Sequence, residues 1–480
     1  MMSLARCSST AVISIITLLS GHGLANSAPT PLYEPLLPKA TFTGAVIELE
    51  DFATLPKESN GSPARVNFLM PAPDNTTDLL VVDQGGIIYR VSADGFKVTT
   101  YLDLRAQKLS LVSSSSEEGF VGLAFHPNFS GDPTKPGYGK FYTAFSASKT
   151  SGTPDFLASD AGDHHQVIRE WTASDPYSRA FTGTSREVLR VGRYASNHNG
   201  GVIRFNPNAT FGTYDYGNLY IGFGDGGGEN DPRNNGQNLT TPLGKILRIN
   251  PLAGANGAKY TIPSDNPFRK IASAGPLIWA YGLRNPQQFS WEIGGQGRMF
   301  IDDIGQNQVE EVNLGARGAN YGWSLREGTF ATGVAVGSPG GKRDYLDYPL
   351  PADDAKKGYA YPIAEYDHSD EARDGKTVAS GVGSGFIYQG SFAPNYRGFY
   401  VFGDFVQGKL FAINANGPLS AAMDLYSLQF LYHGVSYTSL STSPIGEKTR
   451  SDFRIGEDRN GELYGLLKGT GGIYRFILPR

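Results

Sequence analysis

The sequence predicts an all-β chain, and within that class a six-bladed β-propeller, on three observations. Among 480 residues there are 61 Gly, 29 Pro, 26 Tyr and 27 Phe, with only 18% charged, a balance of turn formers and β-forming aromatics. Long helical patterns of Ala, Glu, Lys and Leu do not occur. One short strand pattern, meanwhile, recurs six times, as IIYRV (87–91), VIREW (167–171), KILRI (245–249), EEVNL (310–314), KLFAI (409–413) and IYRFI (473–477). Each copy follows a turn and an apolar strand, and each reads as the last strand of its repeat. Their spacing of about 60 to about 100 residues suits one four-stranded sheet plus loops of varying length per repeat. A propeller sets such sheets radially and leaves only short edges.

From the N-terminus, residues 1–28 carry Arg6, an apolar run from Ala11 to Leu19, and small residues at Gly23, Ala25 and Ala28. That is the pattern of a removable secretory signal and predicts a secreted or periplasmic protein. The run is too short to span a bilayer, and no later stretch nears the roughly 20 apolar residues of a transmembrane helix. Cys7, the only cysteine, precedes the apolar run and leaves with the signal, so the mature chain has no disulfide. Residues 29–42 form a Pro-rich leader, and 43–480 are expected to form a single propeller domain. AVIELEDF, 45–52, has no repeat of its own and is expected to pair with the last repeat and close the ring. A net charge of -4 without a basic block leaves no footprint for nucleic acid or an acidic membrane surface. Small neutral partners are expected instead.

Candidate chemistry concentrates between His198 and Pro251. His198 is followed by Asn199, Gly200 and Gly201 and opens the alternating run from Val202 to Phe205, so its imidazole is placed at a strand mouth. Asn218 to Phe223 is a second strand, ending at Gly224, Asp225 and Gly226. If the two strands are neighbours, Asp225 meets His198, and a carboxylate on one ring nitrogen raises the basicity of the other, as in a general base. The alternative is a glycine turn at Asp225 with a strand-capping histidine.

Further along, Pro286 in YGLRNP presents Arg284 and Asn285 together at a strand end, a fixed cation suited to developing negative charge. An arginine bridging two blades reads equally well. In DIGQNQVEEVN, Gly305 and Gln306 stand in a turn with Glu310 beyond it. Carbonyls plus a carboxylate are hard oxygen ligands of the kind calcium accepts, and a polar turn closing the fourth blade is the other reading. His126 reads as a structural residue between aromatics. His164 and His165 read as members of a polar loop without metal-ligand spacing.

Taken together, the motifs GFVGLAFHPNF, HNGG with LYIGFGDGG, DPRNNGQN, GKILRINP, IWAYGLRNPQ, DIGQNQVEEVN, GANYGW, GFIYQGSF, GFYVFGDFVQGKLFAI and GEDRNGELY resemble the soluble glucose/sorbosone dehydrogenase family. The resemblance runs from about residue 78 to the C-terminus in motif order. That family has a six-bladed propeller and includes quinoprotein glucose and aldose sugar dehydrogenases and the propeller of hedgehog-interacting proteins. In its quinoprotein members the histidine of HxGG takes the proton of the sugar's anomeric hydroxyl while hydride passes to pyrroloquinoline quinone (PQQ). The resemblance thus implies that His198 is the base, that Asp225 supports it, and that Arg284 and Asn285 contact the quinone. It implies a calcium ion at Gly305, Gln306 and Glu310.

Two departures stand out. Where glucose dehydrogenases place a lysine toward the cofactor's carboxylates, this chain has Gln389, and in place of an arginine-rich turn it has GDFVQGKL, offering only Lys409. Three functional readings follow. The first is an exported, calcium- and PQQ-dependent dehydrogenase of an aldose or related hydroxyl compound, handing electrons to a separate acceptor because the chain has no CxxCH haem site. A non-catalytic propeller binding a protein or glycan on its top face is the second, and a calcium-dependent lactonase-like hydrolase the third.

Overall fold

Strand after strand in this chain is a run of five or six residues rich in Val, Ile, Leu and aromatics, ended by a Gly or Asx turn, and each pairs antiparallel with the next. The structure, a computed structural model, describes residues 41–113, 117–157, 162–333, 350–368, 379–420 and 423–479. The expected signal and nearly all of the leader lie outside the described residues. No helix among the described residues is long and apolar enough to cross a membrane.

The chain is all-β and propeller-like. Four sheets have four strands each. The first joins Val66–Pro71, Leu79–Asp83, Ile87–Val91 and Val98–Asp103, and the second Phe120–Phe125, Lys140–Ser148, His164–Ala173 and Gly183–Gly192. The third joins Ile203–Phe205, Leu219–Phe223, Lys245–Ile249 and Ile278–Tyr281, and the fourth Pro286–Trp291, Met299–Asp303, Val309–Leu314 and Ala364–Asp367. A two-stranded sheet pairs Arg326–Glu327 with Phe330–Ala331, and the remaining described strands form one nine-stranded sheet. Its order is Val382–Ile387, Phe399–Asp404, Leu410–Asn414, Tyr426–Tyr432, Thr41–Thr54, Gly472–Ile477, Leu463–Leu467 and Phe453–Glu457, with Val435–Tyr437 paired to Tyr426–Tyr432. Thr41–Thr54 runs parallel to Tyr426–Tyr432 and antiparallel to Gly472–Ile477, with Glu48 opposite Ile477. Residues 45–52 therefore do pair with the last repeat.

The recurring strand is the third of its sheet, not the last. In the four smaller sheets it occupies the third place, and in the long sheet it lies third from either end. A third strand has neighbours on both edges and sheets on both faces, so every residue of Ile87–Val91, Lys245–Ile249 and Val309–Leu314 is buried. Outer strands such as Val98–Asp103 and Gly183–Gly192 are partly exposed and keep no shared signature.

Between sheets the faces interlock through large aromatics. Tyr101 of the first sheet lies 6.0 Å, centroid to centroid, from Phe141 of the second, within a cluster that also buries Phe68, Phe120 and Phe145. Each such ring contributes about 1.5–3 kcal/mol of burial. The first strands of the sheets face inward. Val66–Pro71, Phe120–Phe125, Ile203–Phe205, Pro286–Trp291, Val382–Ile387 and Phe453–Glu457 or their leading loops line two cavities in succession, starts toward one and ends toward the other. All six therefore point the same way along one channel, and His198 stands at its entry end.

Candidate active site

His198 is reached through a backbone that only a committed local structure supports. It holds φ of 50°, and Gly200 and Gly201 follow at 61° and 92°. A Cβ on Gly200 would stand 2.5 Å from Gly222 O and 2.8 Å from Phe223 Cα. Glycine there lets the HNGG loop lie against the neighbouring strand, whose end carries Asp225. His198 Nδ1 lies 2.6 Å from Asp225 Oδ1, and both residues are buried. The same oxygen accepts from Gly227 N at 2.8 Å, and Oδ2 accepts from Trp323 Nε1 at 2.8 Å. Burial opposes ionisation of Asp225, but His198, Arg284 and the Gly227 N–H outweigh it and hold the carboxyl below its ordinary range. An ionised Asp225 fixes the proton on Nδ1 and leaves Nε2, which makes no hydrogen bond to the described residues, as the basic nitrogen.

Arg284 and Asn285 join this pair. Asp225 N donates to Arg284 O at 2.7 Å, and Asp303 caps both following amides, from Arg284 at 3.0 Å and Asn285 at 2.7 Å. The Arg284 guanidinium lies 5.6 Å from the Trp323 ring and donates to Ile304 O at 3.0 Å and Gly305 O at 2.7 Å. Its Nε and Asn285 Oδ1 are buried with no hydrogen-bond partner among the described residues. It does not bridge blades through an ion pair with a carboxylate.

Gly305, Gln306 and Glu310 lie just beneath. Gly305 N donates to Glu310 Oε2 at 3.3 Å, while Glu310 Oε1 is buried without a hydrogen bond, 3.4 Å from His368 Nε2. The Gln306 side chain clasps the Asn230 backbone and amide, at 2.7 and 3.0 Å, so its carbonyl is its only group left for a metal. Burial raises Glu310 far above its usual range, Asp303 to about 7, Glu365 to about 7 and Asp404 to about 6. Such a crowd of buried carboxyls, with one orphaned oxygen, suits a hard cation.

Of the remaining expectations, Lys409 lies at this end, where burial lowers it and Asp404 opposes the shift. Gln389 does not. It follows the far end of Val382–Ile387 and donates to Ile293 O at 2.7 Å, beyond the end of Pro286–Trp291. A strand length separates it from Arg284, and it is not part of this site. His126 is structural, edge-on to Phe205 at 5.4 Å and Tyr216 at 5.9 Å, with burial lowering it to about 4. His164 and His165 open the strand His164–Ala173 rather than a loop.

Other groups at the site carry no motif. Glu117 accepts from Asn199 N and Asn285 Nδ2, each at 3.3 Å. Arg193 is fully buried, donates to His198 O, and keeps Nε and Nη1 without partners. Arg454 lines the entry cavity with Glu117 and Gly200. Near it, Arg450 Nε holds Asp452 Oδ1 at 2.7 Å, and Lys468 Nζ lies 3.8 Å from Oδ2. Burial lowers Lys468 to about 7, with Arg454, Arg65 and Arg450 adding repulsion. Arg450, Arg454 and Lys468 thus form a cationic cluster beside the entry cavity, drawn from the strand Phe453–Glu457, the segment before it and the turn after Leu463–Leu467. Only the alternation in SDFRIGED hints at Arg454, as a charge at an inward strand position.

Comparison with known proteins gives the chain its family. The Glucose / Sorbosone dehydrogenase family profile matches residues 63–426. HIPL1 protein of Arabidopsis thaliana is 29% identical over 91% of this chain and 66% of its own length. Hedgehog-interacting protein of Mus musculus is 24% identical over 85% of this chain and 50% of its own. This chain therefore spans about half to two thirds of these curated relatives. The PQQ-bound form of aldose sugar dehydrogenase from Streptomyces coelicolor shares the fold, with a TM-score of 0.56 at 21% identity, covering 94% of this chain and 99% of that one. With the profile spanning most of its length, the chain belongs to the glucose/sorbosone dehydrogenase family.

Proposed function

We propose that the protein is an exported quinoprotein oxidoreductase that oxidises an aldose or related hydroxyl compound, with PQQ and calcium as cofactors and His198 as general base. The observation that carries this reading is the 2.6 Å contact of His198 Nδ1 with an ionised Asp225, which leaves Nε2 as the proton acceptor. The family's fold supports it, as do the orphaned buried atoms: Arg284 Nε and Asn285 Oδ1 suit a quinone's acceptors and donors, and Glu310 Oε1 suits a cation.

PQQ, when bound, supplies the hydride acceptor. The chain's own residues do the rest. His198 Nε2 takes the proton of the substrate hydroxyl, Asp225 stabilises the resulting imidazolium, and Trp323 keeps Asp225 in place. Arg284 offers a fixed positive charge toward developing negative charge. Gln306 O and Glu310 would hold calcium, with Gly305 O shared with Arg284, and Asn285, Lys409 and Arg454 would face the cofactor. Electrons leave to a separate acceptor.

The architecture proposed for this activity has six blades. In it, the nine-stranded sheet is two four-stranded blades, the second completed by Thr41–Thr54, with Val435–Tyr437 as an extra strand on the first, a reading supported by the six strands that line both cavities. A second reading, a propeller that binds a protein or glycan at its His198 end, is favoured by similarity to Hedgehog-interacting protein over 85% of this chain. The experiment is to titrate metal-stripped protein with PQQ, with and without calcium, and then add an aldose panel. Calcium-dependent binding followed by cofactor reduction supports the dehydrogenase. Absence of binding at high micromolar PQQ overturns it in favour of the second reading.

A further inference from the structure

At the end of the channel away from His198 lies a second cavity, of ≈ 390 Å³, that the proposed activity does not use. Its wall is mostly apolar, with Met70, Phe125, Phe205, Trp291, Ile293 and Phe386 among its lining residues. Two cations line it, Arg204 and Arg459. The Arg204 guanidinium is sandwiched between two rings, 4.9 Å from the centroid of Phe68 and 5.0 Å from that of Phe386. Its Nε and Nη2 are buried and have no hydrogen-bond partner among the described residues.

Those two atoms form one edge of the guanidinium, the edge that receives a carboxylate through two parallel N–H···O bonds. The other charged side chains of the wall do not fill that role. Glu457 makes no ion pair with Arg204, and burial raises it to about 8, so that it is mostly neutral at pH 7. Asp458 accepts from Asn460 N at 2.8 Å and Glu462 N at 3.0 Å, and Arg459 donates to Ala72 O and Asp74 O at 2.7 Å each. Arg204, lowered by burial only to about 10, stays charged. A charged fork with no acceptor among the described residues, set against aromatic walls, is costly unless something completes it.

We propose that this cavity binds a small apolar monocarboxylate, whose carboxylate is received side-on by Arg204 Nε and Nη2 and whose body packs against the aromatic wall. The inference stands apart from the dehydrogenase reading, since the two cavities meet different halves of the six inner strands.

The test is calorimetric titration of the full-length secreted chain with phenylacetate, cyclohexylacetate and phenylacetamide. Both carboxylates should bind saturably, and the amide about tenfold or more weaker, because it forfeits a charge-assisted pair of hydrogen bonds. Arg204→Lys keeps the charge but not the fork and should weaken phenylacetate by about tenfold or more, while Arg454→Gln, in the other cavity, should leave it unchanged. Equal affinity for acid and amide, or no saturable binding at millimolar phenylacetate, overturns the proposal. So does loss of binding in Arg454→Gln with retention in Arg204→Lys. Should Arg204→Lys fail to fold, the comparison of acid and amide on the unaltered chain still decides.

Discussion

Trp323 Nε1 donates to Asp225 Oδ2 at 2.8 Å, while Oδ1 of the same carboxylate holds His198 Nδ1 at 2.6 Å. The indole comes from the loop after the fourth sheet's third strand and Asp225 from the third sheet, so the orientation of the base depends on two sheets. Trp323→Phe should keep the fold and lower sugar-dependent dye reduction by about tenfold, the worth of one hydrogen bond to a charged group. Steady-state kcat measured beside circular dichroism checks it, and unchanged kcat would separate Trp323 from catalysis.

His198→Ala should lower kcat by at least about a hundredfold, within the range of general-base contributions. PQQ affinity should change by less than about threefold, because the imidazole accepts a proton rather than anchoring the cofactor. Asp225→Asn should fall between wild type and His198→Ala in kcat, with its rate profile shifted in pH. Full activity in His198→Ala would remove the assignment.

Gln389→Lys should leave PQQ affinity unaltered, because residue 389 is bonded to Ile293 O at the far end of the channel. Arg454→Gln, at the entry cavity, should weaken PQQ by about ten- to hundredfold. Absorbance titration of the two variants side by side distinguishes the two placements.

Calcium removal should lower the thermal midpoint. At a concentration a hundred times its dissociation constant, a ligand that binds only the folded state adds about 2.7 kcal/mol. Glu310→Gln removes the orphaned carboxylate oxygen and should abolish the calcium-dependent part of the midpoint. A shift equal to wild type would place calcium elsewhere.

Glu457 makes stability depend on pH. Burial raises it to about 8 from an ordinary 4.5, with Arg204 opposing and Asp458 adding. Between those values the folded state keeps a proton that the unfolded state has lost, so this group's contribution falls as pH rises across the window. Glu457→Gln should flatten that decline, as read from urea midpoints at the two ends of the window. A slope identical to wild type would show that another group sets it.

The motif-bearing half of the site was legible because glycine and proline announce it. HNGG, GDGG and RNP each mark a backbone turn that lifts one polar side chain from a strand end, and the structure brings His198, Asp225, Arg284 and Asn285 together. Glu117, Arg193 and Arg454 lack such marks, and Trp323, although it closes GANYGW after Gly322, carries no charge to single it out. They reach the site from other loops, at sequence separations that pattern reading does not span, as with Trp323 and Asp225, 98 residues apart. Gln389 was misplaced for a related reason: a strand's sequence shows which residues alternate, and which end of the channel a position meets depends on strand direction. Likewise, strand repetition was visible in the fully buried third strands, while the rim strands, half in solvent, kept no common pattern.

The pairing of Thr41–Thr54 with Gly472–Ile477 also bears on synthesis. Glu50 and Arg475 meet there across 425 residues of chain. On a ribosome the first four sheets emerge with all their strands in order and have local hairpins to form at once. The N-terminal strand must wait, one edge unpaired until Tyr426–Tyr432 is made and the other until Gly472–Ile477 is made. Completion of the nine-stranded sheet is consequently a late, long-range event, and a nascent or C-terminally truncated chain exposes a long strand edge open to pairing with other chains.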